Sequence, residues 1–78
     1  MTISDAVATR LNEIIEEKGV TQYRLFILSG VAQSTIHDIR NKKGKSINLI
    51  AIYEIMDGLG MELADFFDSP LFKRENLD

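Results

Sequence analysis

The sequence predicts an all-α domain of five short helices, and three observations predict it. Apolar residues recur at three- and four-residue spacing along most of the chain, the period of a helix with one buried face. Glycines stand where those stripes stop, at Gly19, Gly30, Gly58 and Gly60, as helix C-termini favour. Thr21 and Asn48 stand just before a new stripe, where a short oxygen-bearing side chain caps a helix N-terminus.

The first helix is expected from about Ser4 to Lys18, with Ser4 or Asp5 as its cap. Val7, Leu11, Ile14 and Ile15 form its buried stripe, and Glu13, Glu16 and Glu17 face water. Gly19 ends it, and Val20 leads directly into Thr21, so the next helix is a spatial neighbour. Thr21 caps the second helix, Leu25, Leu28 and Ser29 follow at helical spacing, and Gly30 stops it. The run Leu25, Phe26, Ile27, Leu28 is apolar on every side. Two readings stay open: Leu25 and Phe26 face the core with Ile27 or Leu28 half covered, or the excess is a patch for a partner.

The third helix begins after Val31. Ile36 and Ile39 turn inward, which leaves Gln33, Ser34, His37 and Asp38 outward on a polar, short-armed face. Two helices across a tight glycine turn, the second presenting such a face, form a helix-turn-helix, the arrangement that lays a helix in the DNA major groove. A polar loop, NKKGKS, carries three lysines directly after it, placed either as a solvated turn or as contacts to flanking phosphates. Asn48 caps the fourth helix, whose core stripe is Leu49, Ile52, Ile55, Met56 and Leu59, with Met56 as packing rather than a ligand. The fifth runs from about Glu62 to Phe67 and offers Leu63, Phe66 and Phe67, with Met61 filling the gap to the fourth. Asp68, Ser69 and Pro70 break it. Residues 1–69 are thus the folded domain, and 70–78 a tail with Leu71 and Phe72 whose end frays.

With 78 residues the chain is one domain, and its 45% apolar and 27% charged residues are an ordinary globular balance. It has no cysteine, which removes disulfides and thiolate metal sites and agrees with a reducing cytoplasm. The start, MTISDAVATR, carries neither a signal peptide nor a membrane span. A net charge of −3 argues against bulk attraction to a polyanion. Its distribution argues otherwise. From Thr21 to Ser46, Arg24, Arg40, Lys42, Lys43 and Lys45 stand against Asp38 alone, a segment of +4 that leaves −7 for the remainder. One basic face on an acidic body orients the molecule on nucleic acid.

EEKGVTQYRL before the turn, SGVAQSTIHDI through it and LIAIYEIMDGLGMELADFF after it, in that order, resemble the Cro/C1-type helix-turn-helix regulators of bacteria and phages, the xenobiotic-response-element family. The resemblance spans almost the whole chain and implies a compact five-helix lambda-repressor-like DNA-binding domain, its helix-turn-helix formed by helices 2 and 3. It implies that Gln33, Ser34, His37 and Asp38 face base edges, and that Gln22, Thr35, Asn41, Lys43 and Lys45 hold the sugar-phosphate backbone. The chain departs from the pattern at Phe26, where a small alanine is usual, at Ala32, where a Ser or Thr usually caps the third helix, and at Ile47, where proline is common. An internal Arg–Glu pair of the family is replaced by Ile15 and Arg40, which frees Arg40 for phosphate. Asp38 either specifies a cytosine or pairs with a cation such as Lys42.

The expected function is sequence-specific binding of double-stranded DNA to regulate transcription, most simply as a repressor occupying a promoter. A helix-turn-helix kept as a protein-interaction module is the alternative. A homodimer on a pseudo-palindromic site is expected, formed on DNA if not before, through Leu71, Phe72 and Phe67 in preference to Ile50 and Tyr53, unless the tail folds back to complete its own core. No catalytic constellation, phosphate-binding glycine loop or metal-ligand cluster stands in the sequence, so neither an enzyme nor a cofactor is expected.

Overall fold

The computed structural model describes residues 1–42 and 46–78. Five helices follow in order: α1 (Ile3–Lys18), α2 (Gln22–Ser29), α3 (Gln33–Arg40), α4 (Leu49–Gly58) and α5 (Leu63–Phe67), with 3-10 turns at Pro70–Phe72 and Arg74–Asn76. No strand occurs among the described residues, and no helix is long and apolar enough to cross a membrane.

Local chemistry explains most of the boundaries. Thr2, not Ser4 or Asp5, caps α1: its hydroxyl accepts from the Asp5 N–H at 3.1 Å, and the Asp5 carboxylate accepts from the Thr2 N–H at 2.9 Å. Three candidate caps lie within four residues, and the reciprocal Thr-x-x-Asp box selects the first of them. Thr21 caps α2 by accepting from the Arg24 N–H at 3.0 Å, and Asn48 caps α4 by accepting from the Ala51 N–H at 3.1 Å, both as the sequence predicts. Gly30 ends α2 at φ 74°, a left-handed backbone that a Cβ disfavours.

The helices meet on one core. Leu11 and Ile14 of α1, Leu25 of α2, Ile36 of α3, Ile52, Ile55 and Met56 of α4 and Phe66 of α5 are fully buried, and no polar or charged residue is buried with them among the described residues. α1 packs on α3, α2 on α3 and α4, and α4 on α5. The α2–α4 crossing depends on Gly58, where a Cβ would stand 2.7 Å from the Leu28 carbonyl oxygen. Two backbones approach that closely only where a side chain is missing.

Three expectations for the core are corrected. Leu49 is 53% exposed rather than part of the stripe; the buried face of the first α4 turn is filled by Ala51 instead. Phe67 is also partly exposed, at 37%. The tail folds back rather than trailing away: the Asp78 N–H donates to the Met1 carbonyl at 2.9 Å, and the Asn76 amide donates to the Pro70 carbonyl at 2.6 Å. Phe72 returns to the core, its ring centroid 5.9 Å from Phe66 and 5.1 Å from Phe67, distances at which tilted and edge-on rings attract. On α2, Leu25 is buried, Phe26 half-buried, and Ile27 and Leu28 are exposed by 49% and 38%, half covered as the core reading has them.

Candidate nucleic-acid interface

The helix-turn-helix is fixed from inside. Val31 is buried in the turn and Ile36 in α3, with Ile39 packed against the same cluster. α3 starts at Ala32 without a side-chain cap, as the sequence predicts. The turn is held one step earlier, where the Ser29 hydroxyl donates to the Leu25 carbonyl at 2.6 Å and accepts from the Val31 N–H at 3.1 Å. That hydroxyl replaces a cap by bracing the residues leading into the helix.

With Ile36 and Ile39 inward, Gln33, Ser34, His37 and Asp38 are all exposed, two adjacent pairs one helical turn apart on a single face. Thr35 is half-buried and lines a cleft with Ser4, Val7, Ile39 and Ile47 beside the start of α1. His37 does not stand alone. The Asn41 amide donates to the His37 carbonyl at 2.8 Å and lies 3.3 Å from the ring Nδ1. Asn41 thus lies back along α3.

Charges sort differently from the expectation for Lys42. Its ammonium lies 3.2 Å from the Asp5 carboxylate, joining the end of α3 to the start of α1, and not against Asp38. The Asp5 carboxyl is held below the ordinary carboxylate range, chiefly by the Thr2 backbone N–H and next by Lys42. Lys42 takes a left-handed backbone, φ 59°, at the point where the chain leaves α3. Lys43 and Lys45 lie outside the described residues. Arg24 is exposed near the start of α2.

Arg40, read from the sequence as released for phosphate, is engaged within the domain. Its Nε donates to Asn12 Oδ1 at 2.7 Å and its Nη1 to Gln22 Oε1 at 3.2 Å. Asn12 returns a longer contact, its amide 3.4 Å from the Arg40 carbonyl. Gln22 in turn places Nε2 at 3.4 Å from the Gln33 carbonyl, the first residue of α3. Apolar periodicity does not single out Asn12. A signal was present: Asn12 is one turn before Ile15, on the side of α1 where the lost ion-pair partner would stand.

These parts define a class: an all-α helix-turn-helix domain whose third helix presents polar side chains beside basic residues. The sequence profile of the Cro/C1-type HTH DNA-binding domain matches residues 10–70, and the chain belongs to that family. It is a DNA-binding regulator whose partner is double-stranded DNA. No curated protein and no solved structure matches it.

Proposed function

We propose that the chain recognises a specific DNA sequence through α3 and represses transcription by occupying a promoter. One observation carries this reading: Gln33, Ser34, His37 and Asp38 are exposed together on the face of α3 opposite buried Ile36 and half-buried Ile39. Their chemistry suits base edges. Gln33 pairs bidentately with adenine, Ser34 serves either role, the His37 ring meets a base edge through its outer nitrogen, and Asp38 accepts from cytosine N4. Thr35, Asn41, Lys43 and Lys45 belong to the flanking phosphates, the lysines supplying about one unit of salt slope each.

A single α3 reads few base pairs, so two copies bind a pseudo-palindromic site. With Phe72 spent in the chain's own core, the contact between copies falls on α4, where Leu49, Ile50 and Tyr53 are 53%, 70% and 54% exposed. The exposed Ile27 and Leu28 favour a second reading, a protein-interaction module, which an apolar helix face serves equally well. Selection from a random duplex pool followed by salt titration separates the two. Sequence-specific regulation requires an enriched motif and affinity that falls steeply with salt, whereas enrichment of nothing at low salt would leave the interaction module. Particle mass on the selected duplex then counts the copies, and Ile50→Glu should reduce two to one.

A further inference from the structure

We infer, on the DNA-binding reading above, that Arg40 and Asn12 are positioning residues that set the Gln22 amide with its NH2 outward, as a donor for a phosphate oxygen. A glutamine amide is an acceptor at one end and a donor at the other, and both ends look alike in shape. Which end faces DNA decides whether phosphate is held or repelled, because a phosphate oxygen only accepts.

Arg40 removes the ambiguity. A guanidinium has five N–H donors and no acceptor, so the Gln22 atom 3.2 Å from Nη1 has to be Oε1. Nε2 then lies on the far side, 3.4 Å from the Gln33 carbonyl, a long bond that uses one of its two hydrogens and leaves the other for a ligand. The same geometry ties the first residue of α2 to the first residue of α3.

Arg40 directs Gln22 only if its own side chain is fixed, and α1 supplies that. Asn12 accepts from Nε at 2.7 Å and reaches the Arg40 carbonyl at 3.4 Å, gripping both side chain and main chain. Arg40, Asn12 and Gln22 are each half-buried, which limits competition from water. The order runs from α1 through α3 to the N-terminal end of α2, and Asn12 acts without touching the ligand.

A double-mutant cycle tests this on the selected duplex, using Arg40→Met and Gln22→Ala with the full chain. Through Gln22, Arg40→Met lowers affinity about tenfold for every sequence, leaves the salt slope unchanged, and has no further effect once Gln22 is alanine. Asn12→Ala follows the same pattern more weakly. Additive losses, or a slope reduced by about one unit, would instead make Arg40 a direct phosphate contact and overturn the assignment. In the free protein the Arg40 Nε–H should give a slowly exchanging NMR signal that Asn12→Ala abolishes, and its absence from the wild type would also overturn it. Failure of the wild type to select any duplex would instead sink the DNA reading itself, with the NMR signal still reporting whether the pairing exists. Urea titration of each variant identifies loss of fold.

Discussion

The two sides of this domain are held by different means. On the α4–α5 side, Phe66 is wholly buried with Phe67 and Phe72 around it, and position is set by apolar packing. On the α2–α3 side, Gln22, Arg40 and Asn12 are only half-buried, and position is set by directional hydrogen bonds. Burial stabilises the chain by bulk, whereas a hydrogen bond between groups that water also reaches contributes little net stability but fixes direction. Stability and recognition should therefore separate under mutation.

Phe66→Ala should break the packed side, with a loss of about 3 to 5 kcal/mol in urea unfolding and DNA binding lost only as the chain unfolds. A stability change below about 1 kcal/mol would count against packing as what sets this side. Gly58→Ala probes the boundary, since a Cβ 2.7 Å from the Leu28 carbonyl must push α2 from α4. It should destabilise by roughly 1 to 3 kcal/mol and, because Gln22 begins α2, also weaken binding in the protein that remains folded. Weakened stability with untouched affinity would show the two sides to be mechanically independent.

Gln33→Ala and Ser34→Ala should do the opposite of Phe66→Ala. Each should lower affinity by about 1 to 3 kcal/mol at the selected site, with nonspecific binding nearly intact. Their unfolding midpoints should stay close to that of the parent. Equal losses on all duplexes would reassign them to the backbone. The smallest effect belongs to Thr2→Ala, about 1 kcal/mol of stability from the lost cap. In the parent, Asp5 adds a pH dependence of known sign. Its folded carboxyl is depressed, so its contribution is full above the ordinary carboxylate range and fades as pH falls through the lower folded value. Asp5→Asn should flatten that acid limb in urea titrations.

Much of the architecture was legible because it rests on local rules. Thr21, Gly30 and Asn48 act within four residues of themselves, and Ile36 and Ile39 declare the inner face of α3 by spacing alone. The misreadings have tertiary causes. Leu49 continues the apolar period of α4 yet lies in its first turn, where the neighbours of the helix decide what is covered. Phe72 follows a helix-breaking proline, so the sequence leaves two places for it, a partner or the chain's own core, and only the tertiary fold decides for Phe66. At the interface, outward-facing Gln33, Ser34, His37 and Asp38 could be read from period, but the partners of Arg40 could not. Asn12 is 28 residues away, and hydrogen-bond geometry has no sequence period.

Arg10 also bears on the order in which the chain assembles. Its guanidinium donates to the Phe66 carbonyl at 2.8 Å and the Asp65 carbonyl at 2.7 Å, closing the C-terminal end of a helix only five residues long. Such a helix does not persist alone, because nucleation is unfavourable and there are too few later bonds to compensate. Its partner lies 56 residues earlier, so α5 forms only after the intervening chain has brought the ends of that loop together. Arg10→Ala should therefore leave the refolding rate almost unchanged and increase the unfolding rate in stopped-flow measurements, as expected for a contact made after the rate-limiting barrier. A slowed refolding limb would instead place the meeting of the first and last helices inside the folding nucleus.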